Sequence, residues 1–122
     1  MNFTLVGLSH KTAPVEVREK LAIPESALPQ ALGALQRHDG VREGLILSTC
    51  NRVEVFARGE PSSDLAHSLP GFLAEYHGLP LDSLHKFFYR YRQRDAIRHI
   101  FRVAASLDSM VVGEPQILGQ VK

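Results

Sequence analysis

The order in which apolar runs and helical spacings alternate constrains this chain more than anything else in it. Phe3, Leu5, Gly7 and Ser9 alternate with Thr4, Val6, Leu8 and His10. That run is mostly apolar on both sides and reads as a buried strand. Thr12-Ala13-Pro14 has the form of an N-cap and helical start, which predicts a short helix over Val15 to Ala22. A second helix is expected after Ser26 as cap. Pro29 falls in its first turn, Leu28, Ala31, Leu32 and Leu35 follow i, i+3, i+4, i+7, and Asp39-Gly40 stops it. Leu45 to Thr49, followed by Val53, Val55 and Ala57 in alternation, predicts a hairpin with Cys50-Asn51-Arg52 at its turn. Helical spacing returns in Leu65, Leu69, Phe72, Leu73 and Tyr76, with Pro70-Gly71 expected to kink or divide that helix. Lys86 to Tyr91 predicts an aromatic fourth strand, and a further helix runs from Arg94 to about Leu107.

The order β-α-β-β-α-β sets the expected fold class. It is α+β, ferredoxin-like (βαββαβ), an antiparallel sheet with helices on one face plus additional C-terminal helices. The 122 residues suit one domain with one core, and no repeat, low-complexity stretch or linker divides them. With 14 Lys+Arg against 13 Asp+Glu, the net charge of +1 excludes a strongly basic nucleic-acid clamp. A local stripe remains: Arg94, Arg98 and Arg102 line up at i, i+4, i+8, and Arg90 and Arg92 extend it. Such a row either meets phosphates or is a solvated helix face. The start, MNFTLVGLSHK, places its apolar stretch before its charges, the wrong order for a secretory leader. No run approaches the roughly 20 apolar residues of a membrane span. The expected compartment is the reducing cytoplasm, where a lone thiol stays usable.

The chain holds one cysteine, which excludes an intramolecular disulfide and any multi-Cys metal site. Cys50 is left as a buried structural thiol, a reactive thiol, or neither. A hairpin turn favours exposure, and Arg52 two residues on would favour a thiolate or hold an anionic substrate group. In the expected topology the end of the first strand reaches the same sheet edge, so Ser9-His10-Lys11-Thr12 should converge on Cys50-Asn51-Arg52. His99 lies at the border of an apolar helix face formed by Ala96, Ile97, Ile100, Phe101, Val103, Ala104 and Leu107. It is either a general acid/base reaching into a cleft or a partly solvated residue without a task. His10, His38, His67, His77 and His85 show no pair at i, i+3 or i, i+4, so a metal site is not expected. G-x-G-x-x-G is missing too, and dinucleotide binding by that route is not expected.

Three blocks carry a family resemblance. They are Gly7-Leu8-Ser9-His10-Lys11-Thr12-Ala13-Pro14 with Val17-Arg18-Glu19, Leu47-Ser48-Thr49-Cys50-Asn51-Arg52-Val53-Glu54, and His99 to Gln120 (HIFRVAASLDSMVVGEPQILGQ). Together they resemble the N-terminal catalytic domain of glutamyl-tRNA reductase, from about Thr4 to the last residue. The resemblance implies that Cys50 attacks the glutamyl ester of glutamyl-tRNA, giving a thioester that NADPH reduces to glutamate-1-semialdehyde on the route to tetrapyrroles. It implies that His99 supports activity and that Thr49, Asn51, Arg52, Ser109, Glu114, Pro115, Gln116 and Gln120 line a glutamate pocket. Residues 1–122 would be the catalytic domain, with a connecting spinal helix starting near 115–122. NADPH-binding and dimerisation domains would lie outside this chain. A homodimer and a downstream aminomutase are the implied partners of the longer enzyme, with no metal and no membrane. The fragment alone is then expected to form the thioester and to lack hydride transfer. Two other readings compete: a ferredoxin-like RNA-binding module without chemistry, and a Cys50–His99 thiol esterase acting on small esters.

Overall fold

A computed structural model of the chain describes residues 2–110, with side chains to Ser106. Four strands form one antiparallel sheet: β1 (Asn2–Ser9), β2 (Val41–Ser48), β3 (Arg52–Gly59) and β4 (Tyr89–Arg92), in the order β2-β3-β1-β4. Helices α1 (Val15–Leu21) and α2 (Leu28–Gln36) cross between β1 and β2, α3 (Leu65–Tyr76) links β3 to β4, and α4 (Arg94–Met110) follows β4. This is the expected split βαβ topology, with β1 and β3 in the middle of the sheet.

β1 is apolar on both sides because both sides are covered. Val6 and Leu8 join Ile46, Val53, Val55 and Ala57 on one face, packed with Leu28, Ala31 and Leu35 of α2 and Leu65, Leu69, Phe72 and Leu73 of α3. Each buried Val, Leu, Ile or Phe among them contributes about 1.5–3 kcal/mol of transfer free energy, and each Ala less. Leu5 and Gly7 face the other way, toward α4, whose Ala96 and Val103 are also buried. Helices α1, α2 and α3 thus share one face as expected, and the additional C-terminal helix α4 covers the other. The chain reaches that face through a single residue, Gln93, in the left-handed region at φ 53°. Two bonds hold it there, since Gln93 N donates to Phe3 O (2.7 Å) and Phe3 N donates to the Gln93 side-chain oxygen (3.1 Å).

Several boundaries differ from expectation for physical reasons. Thr12 does not cap α1; Pro14 occupies that position without a side-chain cap, and the Thr12 hydroxyl instead accepts from Ser9 N at 3.0 Å. Ser26 lies inside a 3-10 turn (Glu25–Ala27), and α2 begins at Leu28 with Ala27 before it. Lys86 and Phe87 also fall in a 3-10 turn (His85–Phe87), so β4 starts only at Tyr89. Phe101, expected on the apolar face of α4, is 70% exposed. Pro70 does not divide α3, which runs unbroken past it. A proline at this position leaves the carbonyl of Ala66, four residues back, without its helical donor. Arg90 Nε donates to Ala66 O at 3.0 Å and takes its place.

A candidate thiol site beside a cationic cavity

The β2–β3 connection is a tight turn built on Thr49. Its backbone N donates to Arg52 O at 2.8 Å, and its hydroxyl accepts from Asn51 N and Arg52 N, both at 3.2 Å. Cys50 is thereby held at the tip, exposed. The turn after β1 is tied to it, because His10 N donates to Asn51 O at 2.8 Å. Within that second turn Lys11 N donates to the Ser9 hydroxyl at 3.2 Å. The expected convergence of the two segments is thus a matter of hydrogen bonds.

Beside this edge opens a cavity of about 360 Å³, lined by residues from β1, β3, β4 and α4 and from the turn after β1. Lys11, Arg52 and Arg102 supply its cations, and Ser9, Thr12, Tyr89, Tyr91, His99 and Ser106 its other polar groups. Behind it lies Glu54, which is fully buried. One oxygen of Glu54 gathers three donors: His99 Nε2 at 2.6 Å, Arg52 at 3.3 Å, and the Tyr89 hydroxyl. A carboxylate that deep in the protein requires such partners. Because an ionised carboxylate only accepts, the His99 nitrogen facing it carries a proton. Burial, and after it the adjacent Glu54 charge, raises the Tyr89 phenol far above its ordinary range, so its hydroxyl stays a donor. The rings of Tyr91 and His99 stack with centroids 4.7 Å apart, which fixes the imidazole from its flat side.

Of the residues singled out from sequence, Arg52 and His99 share the cavity, while Thr49 and Asn51 frame the turn that carries Cys50. Cys50 stands at the tip of that turn and is not among the lining residues. No hydrogen bond joins it to His99 among the described residues. Ser109, Glu114, Pro115, Gln116 and Gln120 lie outside the described side chains. In the sequence Lys11 and Arg102 stand out only as parts of a turn and a stripe, and Glu54 only as part of a motif. The tyrosines had no assigned role. Phe56, Tyr89 and Tyr91 alternate onto the face that carries Glu54, and those aromatics mark it as a covered face.

The fold and the turn define a class: ferredoxin-like domains that hold an exposed thiol at one end of the sheet, with a cationic cavity beside that end. The chain belongs to the family described as glutamyl-tRNAGlu reductase, N-terminal domain, whose profile matches residues 6–122. It is 54% identical over 122 residues to glutamyl-tRNA reductase 2 of Koribacter versatilis and 53% identical over 122 residues to glutamyl-tRNA reductase of Pelobacter propionicus. All of the chain is matched in both cases, against 27% and 28% of those relatives. Among solved structures, the glutamyl-tRNA reductase of Methanopyrus kandleri superposes with a TM-score of 0.62 at 34% identity, over 97% of this chain and 26% of that one. The chain therefore spans a little over a quarter of the length of the proteins it matches.

Proposed function

We propose that this chain is the domain of a glutamyl-tRNA reductase in which the glutamyl group passes from tRNA to Cys50. The observation that carries the reading is the exposed thiol on a rigid turn whose next residues but one place Arg52 in the cavity wall. The thiolate sulfur attacks the ester carbonyl carbon. A carbon–sulfur bond forms as the bond to the terminal ribose oxygen breaks, and the proton shed by the thiol ends on that oxygen. An aminoacyl ester is already activated, so this exchange needs no strong help to the leaving group. The thioester it yields keeps a more electrophilic carbonyl than an oxygen ester, which favours Cys over Ser here. Arg52 gives one contact to Glu54, and the remaining edge of its planar fork suits a bidentate grip on the side-chain carboxylate of glutamate. His99 supports the transfer from the cavity wall in this reading, its ring oriented by the Glu54 carboxylate at Nε2.

NADPH is the reductant of the longer enzyme in this reading. The described residues do not fit it: the sheet is antiparallel throughout, and no strand runs through a glycine-rich turn into a helix. No reduction step is therefore assigned to them. A homodimer contact and a downstream aminomutase likewise belong to the longer protein, and the setting is cytoplasmic. Among the described residues no helix is long and apolar enough to cross a membrane, and no group of His, Cys, Asp or Glu is arranged to hold a metal ion.

The test is single-turnover release of tRNA from labelled glutamyl-tRNA, with glutaminyl-tRNA alongside. Release from the first and little from the second is expected. No release refutes the transfer, and equal release from both refutes the role of Arg52. The exposed row Arg94, Arg98 and Arg102 favours tRNA contact along α4 as a second reading, in which binding persists, salt-sensitive, without any adduct.

A further inference from the structure

Gly7 sits opposite Glu54 on β3 and opposite Tyr89 on β4. It is the middle residue of a three-strand row on the face that α4 covers. The flanking strands stand two strand spacings apart, on the order of 9–10 Å, too far for direct neighbours to meet. Without a side chain at Gly7 the space between is open, and the Tyr89 phenol crosses it to reach the Glu54 carboxylate. A Cβ on Gly7 would lie 2.7 Å from Glu54 Cγ and 2.6 Å from Val53 O, so the gap admits nothing else.

We infer that Tyr89 is a positioning residue for His99, acting through Glu54 across the gap at Gly7. The hydroxyl and the imidazole Nε2 meet on one carboxylate oxygen, while the Tyr89 and Tyr91 rings pack on the imidazole at 5.5 and 4.7 Å. The shared oxygen sets where the Glu54 charge points, and that charge selects the Nε2-protonated form of His99. The Nδ1 atom, buried and without a partner among the described residues, is then the one free to accept. Removing the phenol oxygen lets the carboxylate turn toward Arg52, and the imidazole loses its fixed orientation and tautomer. The charged or titratable groups that face His99 are Glu54 and Arg52 of β3, Tyr89 and Tyr91 of β4, Lys11 of the β1 turn, and Arg102 on its own helix.

The inference rests on the proposed transfer for its kinetic arm only. The experiment uses Tyr89→Phe in the chain and in the longer enzyme, with two readouts. The first is the pair of ring ¹⁵N shifts of His99, recorded where its own titration shows it neutral. The parent should show one Nε2-protonated form, and Tyr89→Phe a mixture of tautomers. The second is the single-turnover transfer rate, expected to fall on the order of ten-fold or more with apparent affinity for glutamyl-tRNA little changed, as for a misplaced reacting group. Unaltered ring shifts in a folded Tyr89→Phe would overturn the inference, and so would altered shifts with an unaltered rate. If the parent transfers no glutamyl group, the proposed function fails by itself. The ring shifts then decide the positioning claim alone.

Discussion

Two glycines give the sharpest test of how the molecule is packed, because one substitution should act on them with opposite sign. Gly7 lies in the central strand, and an added Cβ would stand 2.6 Å from the backbone oxygen of Val53. A flexible side chain could move away, but that oxygen belongs to the β1–β3 ladder and cannot without breaking pairing. Overpacking of this kind costs about 1–3 kcal/mol, and a backbone obstacle argues for the upper end. Gly71 lies inside α3, and a Cβ there would meet nothing within 4 Å. Alanine at such a helical site stabilises by about 0.5–1 kcal/mol, chiefly by restricting the unfolded chain. At this length each kcal/mol moves the melting temperature by roughly 3–6 °C. Gly7→Ala should therefore melt on the order of 10 °C below the parent, and Gly71→Ala a few degrees above it, by calorimetry or circular dichroism. A Gly7→Ala protein that melts with or above the parent would refute the close approach, and with it the open gap that Tyr89 spans.

Arg90→Met should lower stability by about 1–2 kcal/mol by leaving the Ala66 carbonyl unpaired. In a Pro70→Ala background the new backbone N–H takes that carbonyl, so the same change should cost clearly less. Additive urea midpoints in the double-mutant cycle would contradict this. Ser48→Ala removes the oxygen that accepts from the buried Ile23 N at 3.0 Å, and the midpoint should fall by the equivalent of about 1–3 kcal/mol. His77 is half-buried, and burial holds its imidazole below the ordinary value, against a weaker opposing bond with the Leu21 backbone. The folded state thus favours the neutral ring. Its stabilising effect is complete above the ordinary imidazole value of about 6.5 and is lost as pH falls through the region below it. His77→Phe should flatten the acid side of the stability–pH curve, and an unchanged slope would show that the titration lies elsewhere.

The fold was largely legible because the two hydrophobic periods switch cleanly along the chain, from strand to helix and back. Cys50 was placed at a turn by the apolar runs on either side, and the approach of Ser9–Thr12 followed from topology. The acidic centre of the site was hidden for a matching reason. Glu54 alternates with Val53 and Val55, which is also the pattern of a strand with a solvated side. Only α4, folded back through Gln93, turns that side into an interior. Gly7 gave no sign of its role in one dimension, since its value is the space it leaves between two strands distant in sequence. Pro70 signals a kink or a division of α3 in one dimension because Arg90, the residue that offsets it, comes twenty positions later.

The central claim is that Cys50 receives the glutamyl group. Intact mass spectrometry after mixing the chain with glutamyl-tRNA tests it most directly. The account predicts an increase by one glutamyl group in the parent, removed by mild hydroxylamine, and none in Cys50→Ser, whose stability should stay within about 0.5 kcal/mol because the side chain is exposed. A parent that gains no mass, or a Cys50→Ser protein that gains as much as the parent, would contradict it.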